Sequence, residues 1–466
     1  MNGMYELSLL SGWLIFSLGL AALTALWRWA GGGRTLLIIM TLALGLRLAS
    51  AVALHVFLPI NGYDNEQQRA GYVFYDAFRR DAQAWELAQS DESVLTAFSK
   101  EYYTDQYGGL LALSAGAYRT LSPDAHRPLL IALLGAFAAA LGVSFFWKSA
   151  RLLGGDKLAL PATWIFALYP EGILQGSSQM REPFLITFIA LALWGFLDWQ
   201  RNDSRLAWWW LGAGMLGMLL FSPAIALATL IVLGGIWWFS RESTSMSWKA
   251  ISIGAILFIA GIFLLSAGLN RQGIFGAQSP LGVVAEWMRG AIKWDVYQLE
   301  RGSGWVQKLF GEMGASARLA FVAFYGLTQP VLPAAFIEPT TLVWRIVAIL
   351  RALGWYALMP LFFYGFFAAW NTPSKRERQT WLWLGIVVWV WLVLVSLRAG
   401  GDLWDNPRYR VILLAVQALF AGYAWSRWRA QRDVWLVRIY AVEGIFLIFF
   451  TQWYASRYYH FLTQIS

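Results

Sequence analysis

Apolar residues in this chain come in blocks of about twenty, separated by short polar connections. The blocks lie at 8–28, 36–57, 128–147, 158–174, 181–198, 206–222, 223–239, 250–268, 346–369, 381–398, 411–427 and 436–454. A helix rises about 1.5 Å per residue, so blocks of this length predict helices that cross roughly 30 Å of hydrocarbon. Backbone in lipid must satisfy its own hydrogen bonds, which makes each block a helix. Pro223 follows Phe221 and Ser222 and marks the turn of a tight hairpin. Two apolar pieces do not fit the count: 110–121 is short for a span, and 319–337 contains two prolines and would break the parity. Both are read as interfacial or re-entrant segments on the outer side, with an extra hairpin near 317–355 as the competing reading.

The fold class is therefore all-α, a polytopic membrane helical bundle of about twelve transmembrane helices. It forms a single transmembrane domain over 1–466, with a first large outer loop at 58–127 carrying juxtamembrane amphipathic helices and a second at 269–345. The connections "RWAGGGR", "KSARLLGGDK", "DWQRNDSR", "SRESTSMSWK", "NTPSKRERQT" and "SRWRAQRD" all carry Lys or Arg, and they alternate correctly for all of them to be cytoplasmic. Both termini then face outward. The segment 58–106 is acid-rich, as an outer loop can be.

Composition agrees with the pattern. The chain has 466 residues, 58% hydrophobic and 14% charged, and its mean hydropathy is +0.51. Soluble domains are about half apolar and about a quarter charged. With no cysteines there are no disulfides or thiolate sites, and three scattered histidines (His55, His126, His460) do not make a zinc site of the usual kind. The net charge of +9 sits in short loops, as topology signals do, and predicts no nucleic-acid partner. The start of the chain lacks a positive leader region and reads as a first span, not a cleaved signal. Some of the 29 tryptophans suit interfacial belts, and a few suit sugar stacking.

Chemistry concentrates in the outer segments. "YDAFRRDAQAWELA" (75–88) has strong helix formers and no Pro or Gly. Ala77, Asp81, Trp85 and Ala88 fall on one helical face. Asp81 beside Trp85 could hold a sugar and take a proton from an acceptor hydroxyl as general base. The bland reading is an amphipathic helix with Trp85 at the headgroups and Asp81 solvated or paired with Arg79 or Arg80. In "KEYYTDQYGG" (100–109), Glu101 and Asp105 suit a binding loop, a plain turn, or a divalent cation shared with Asp81. Arg181 and Glu182 open a span, where Glu182 suits the helix dipole or a cavity. In "GGDLWDNPRYR" (400–410), Arg408 and Arg410 flank Tyr409 and suit a lipid phosphate or plain headgroup anchoring. The second outer loop adds Arg271, Arg289, Lys293, Arg301 and Lys308.

These stretches resemble the GT-C superfamily of polytopic glycosyltransferases, which includes protein O-mannosyltransferases and the aminoarabinose transferases of lipid A. The likeness rests on Asp81-Ala82-x-x-Trp85-x-x-Ala88 after a span and on the stretch from "DQYGGLLALSAGAYRTL" through "ATWIFALYP". It rests also on "SSQMREPFLITFIALALWGF" and on "DNPRYRVILLAVQALFAGYAW". It covers roughly 36–427, and the span 8–28 precedes the family's usual start. Relatives commonly have tyrosine where Trp85 stands, and the proline of the late Arg-Tyr motif is absent here. The resemblance implies a sugar donor on polyprenyl phosphate, an extracytoplasmic site, inversion at the anomeric carbon and a bacterial plasma-membrane location. It implies Asp81 as the base, with Asp76 and Asp105 as lesser candidates. Arg408, Arg410 and Lys293 would face the phosphate. Oligosaccharide-transferring members use a metal and many others do not, so a divalent cation stays open. The acceptor would be a lipid, glycan or protein; the lack of a large soluble domain after the last span favours the first two, or a small acceptor. Two rivals remain: a non-catalytic subunit of this fold that acts as a scaffold, and a lipid or solute transporter.

Overall fold

The computed structural model describes residues 2–240 apart from 103, residues 311–463, and scattered positions between 256 and 290. Seven helices among the described residues are long and apolar enough to cross a membrane, or eight if one bent pair is a single span. This is an integral membrane protein with a helical bundle architecture. The predicted blocks at 250–268 and the residue Lys293 fall mostly or wholly outside the described residues.

The chain divides into two compact units, one of Met1–Trp237 and Ser243–Val284, the other of Trp238–Glu242 and Ala285–Ser466. The first begins with α1 (Asn2–Ala30) and α2 (Gly33–Asn61), then α3 (Glu66–Arg69), α4 (Tyr75–Gln89), a 3-10 turn at Val94–Phe98 and α5 (Gly109–Leu121). It continues through α6 (Pro128–Leu168), α7 (Pro170–Gly176), α8 (Glu182–Asn202), α9 (Ala207–Phe221) and most of α10 (Pro223–Phe239).

The 41 residues of α6 would stretch about 60 Å if straight, twice the hydrocarbon thickness. They do not run straight. Gly154 and Gly155 leave helical geometry, and Gly155 has φ of 66°, which favours glycine. Phe146 and Phe166 stack with ring centroids 4.3 Å apart, whereas twenty residues of straight helix would separate them by about 30 Å. The element is thus a hairpin of two arms, matching the separate predicted blocks 128–147 and 158–174. α2 and α8 both pack on it, and α9 packs on α8. Small residues permit the last contact: a Cβ on Gly195 or Gly214 would strike backbone of the facing helix. α9 and α10 are shorter than the other spans, and Ser222–Pro223 divides them where the hairpin was expected.

The second unit contains α11 (Ala315–Thr328), α12 (Leu332–Ile337), α13 (Leu342–Trp370), α14 (Lys375–Ala399), α15 (Asp405–Val411), α16 (Leu414–Gln431) and α17 (Val434–Thr463). α13 packs against α14, α16 and α17, and α11 against α14. The segment 319–337 is split at Gln329–Pro330 into α11 and α12, of which the longer spans about 21 Å. α15 and α16 meet at a bend of 74°. α17 leaves Val442, Ile445, Ile448 and Phe449 exposed, an apolar surface suited to lipid.

Candidate active site

α4 and α5 pack together as the scaffold of the first unit's polar centre. α4 turns Ala77, Asp81, Ala84 and Ala88 inward, the small residues letting α5 approach closely. From α5, Leu111, Ala115 and Tyr118 meet them at positions i, i+4 and i+7. Arg119 clamps the pair by donating from Nη2 to Leu87 O and Ser90 O and from Nε to Ala88 O. These are terminal carbonyls of α4, for which a cation is a favourable partner.

Asp81 lies at the middle of this interface, and its carboxylate takes three hydrogen bonds. Tyr118 OH donates to Oδ1 at 2.6 Å, Tyr72 OH donates to Oδ2 at 2.6 Å, and His126 Nε2 lies 2.7 Å from the same Oδ2. Burial, and then the adjacent Asp81 carboxylate, push both tyrosine hydroxyls well above their ordinary range, so both remain donors. His126 comes from the link between α5 and α6, which is braced on itself. Ser122 Oγ donates to Ala125 O at 2.7 Å, and Arg127 bonds both Ser122 Oγ and the Asp124 carboxylate. Trp85, one turn beyond Asp81, stacks on the imidazole with centroids 5.2 Å apart and planes 22° apart. Tyr118 meets the same ring edge-on at 5.2 Å.

Asp81 is neither solvated nor paired with Arg79 or Arg80, the two alternatives of the bland reading. Arg79 lies over the Tyr75 ring. Arg80 is buried, 3.9 Å from Asp105 Oδ1, and donates to Gln179 O ahead of α8. Asp105 caps α5, its Oδ2 accepting from Leu110 N at 2.9 Å and Leu111 N at 3.0 Å. Asp76 and Glu101 are exposed, and Asp81, Glu101 and Asp105 form no group placed to hold a metal ion. Among the described residues no three His, Asp or Glu side chains are placed to hold a metal ion. Arg181 lies over the Tyr107 ring at 5.2 Å, and Glu182 is fully buried in the first turn of α8.

In the second unit, Arg408 is buried and pairs with Asp405 at 3.2 Å, its guanidinium over the half-buried Tyr409. Arg410 is 0% exposed. Its Nη2 donates to Gly326 O and to Asn406 Oδ1, and its Cζ lies 3.6 Å from the Trp355 ring centroid. Two protein oxygens accept from Nη2 of this guanidinium, which the sequence reading set against a lipid phosphate.

Sequence reasoning singled out Asp81 and Trp85 and missed Tyr72, Tyr118 and His126. Tyr118 had a signal, its place on the inward face of α5 with Leu111 and Ala115. His126 had none beyond being a histidine in an outer loop.

No family model matches the chain, and no curated protein matches it. Among solved structures, it matches the archaeal oligosaccharyltransferase AglB from Archaeoglobus fulgidus, solved in complex with an inhibitory peptide and a dolichol-phosphate. The TM-score is 0.43 at 16% identity, with 90% of this chain and 55% of that chain covered. The chain thus spans about half the length of that protein.

Proposed function

We propose that this protein is an integral membrane glycosyltransferase of the GT-C kind. It moves a sugar from a polyprenyl-phosphate-linked donor to an acceptor hydroxyl on the extracytoplasmic side, and activation of that hydroxyl depends on Asp81. The observation that carries the reading is the Asp81 carboxylate, buried yet fully provided with donors from three separate segments. Burying a charge is costly, and packing α4 on α5 needs only the apolar contacts around it. Ionisable groups held in such environments cluster at functional sites. The carboxylate also occupies the Asp position of the Asp-Ala-x-x-aromatic motif on which the family resemblance rests.

The test uses full-length protein in liposomes supplied with polyprenyl-phosphate sugars and a hydroxyl acceptor. Wild type releases polyprenyl phosphate together with glycosylated acceptor, and polyprenyl phosphate remains bound to the purified protein in native mass spectra. The absence of both retention and transfer, with every such donor, would sink the reading.

Sidedness has its own test, because a chain without cysteines is a ready background for labelling. Asp91→Cys and Lys375→Cys both place a thiol at an exposed position. An impermeant maleimide applied to intact cells should label the first at once and the second only after permeabilisation. The reverse order would put Asp81's loop in the cytoplasm.

A further inference from the structure

We infer that the proton of the acceptor hydroxyl goes to His126, with Asp81 positioning and charge-stabilising the imidazole instead of meeting the acceptor itself. The inference rests on the transferase reading above and names the group that touches the substrate.

Access separates the two residues. The Asp81 side chain is 2% exposed, whereas that of His126 is 31% exposed. Tyr72 and Tyr118 are both buried. An acceptor approaching this cluster therefore reaches the imidazole first. Hydrogen-bond bookkeeping agrees. Asp81 Oδ1 holds the Tyr118 hydroxyl, and Oδ2 holds both the Tyr72 hydroxyl and His126 Nε2. A carboxylate receiving two hydroxyl hydrogens acts as acceptor toward the ring as well, so Nε2 carries the hydrogen. Nδ1 is left with its lone pair, which is the tautomer of a base.

Orientation completes the arrangement. Trp85 lies along one face of the imidazole and Tyr118 against it edge-on, so the ring cannot rotate without breaking the 2.7 Å contact to Asp81. A base held by a second group that is itself held is the arrangement that activates hydroxyl nucleophiles.

The step balances. The acceptor oxygen forms a bond to the anomeric carbon. The bond from that carbon to the donor phosphate oxygen breaks, and its electron pair leaves on polyprenyl phosphate. The hydroxyl proton moves to Nδ1, giving an imidazolium whose charge faces the Asp81 carboxylate. Proton transfer by a positioned side chain contributes about 10²–10⁴ in rate.

The experiment compares wild type, His126→Gln and His126→Gly in the liposome transfer assay, with polyprenyl phosphate binding and thermal unfolding measured alongside. Glutamine can keep an N–H directed at Asp81 but has no basic nitrogen. It should lose about 10²-fold or more in turnover while its unfolding temperature and polyprenyl phosphate binding stay near wild type. Added imidazole should raise turnover of His126→Gly about tenfold or more and leave Asp81→Asn unmoved. A His126→Gln turnover within about threefold of wild type overturns the inference while leaving the transferase reading intact. So does a loss in both variants that imidazole does not restore and that tracks a fall in unfolding temperature, because a structural role behaves that way. Wild type that neither transfers sugar nor retains polyprenyl phosphate overturns both.

Discussion

Asparagine at position 81 should give a folded protein that transfers sugar about 10³–10⁴ times more slowly than wild type. The size follows from what the carboxylate supports: a neutral amide in place of an imidazole-orienting carboxylate costs about 10⁴ in turnover where the arrangement is well characterised. Folding survives because asparagine can be accommodated. With its carbonyl oxygen toward Tyr72 and His126, it accepts both of their hydrogens, and its amide nitrogen faces Tyr118, whose hydroxyl can turn to accept. The loss in stability should stay below about 3 kcal/mol, the scale of one hydrogen bond to a charged group. Asp81→Ala is the wrong test, because it strands two buried hydroxyls and the imidazole N–H and mixes unfolding with lost chemistry. Transfer assays paired with thermal unfolding in detergent decide the matter. Asp81→Asn within tenfold of wild type would mean that transfer does not depend on this carboxylate.

The parts of the molecule legible in its sequence are those set by local composition. Apolar blocks report their environment directly, so 36–57 falls inside α2, 181–198 nearly coincides with α8, and 346–369 falls inside α13. Even the return within α6 was visible, because two glycines stand between basic residues there. Asp81 and Trp85 were legible because helical spacing alone puts them on one face. Their partners were not, since Tyr72, Tyr118 and His126 lie 9, 37 and 45 residues from Asp81 in sequence. No periodicity links residues across that distance; the packing of α5 on α4 and the braced 122–127 link do so. Asp105 shows a different gap. It was read as a possible cation ligand, whereas its oxygen serves the first amides of α5, a cap readable from an acid shortly before a helix. The arginines of 400–410 were placed at the mouth of a span by composition, which says nothing of direction. Spacing held more: Asp405–Arg408 is an i, i+3 pair and Asn406–Arg410 an i, i+4 pair, and both form.

That second pair leads to the other large effect, on stability. Arg410→Ala should destabilise the protein by about 3 kcal/mol or more, through the cavity that a large buried side chain leaves and the hydrogen bond it breaks. The guanidinium closes a node of the second unit. It donates to Gly326 O at the end of α11 and to Asn406 Oδ1 within α15. Asn406 in turn donates to Gly326 O at 3.0 Å and to Gly400 O at 2.7 Å, just past α14. The flat face of the guanidinium lies 3.6 Å from the centre of the Trp355 ring on α13, a contact worth about 2 kcal/mol when desolvated. Removing the side chain strands the buried Asn406 Oδ1, while Gly326 O keeps the Asn406 amide, and it opens a void against the indole. Lysine should recover part of the loss and no more, because a single ammonium cannot lie flat on Trp355 while reaching both oxygens. Methionine separates charge from volume. It fills the space but supplies no donor, so it should fall below wild type by about 1–3 kcal/mol, the cost of leaving the buried Asn406 Oδ1 unmet. Unfolding temperatures of the four proteins in one detergent should therefore rank arginine above lysine and methionine, and these above alanine. Methionine equal to arginine would mean that the cost of burying this charge cancels its contacts. The node would then hold the unit by packing alone.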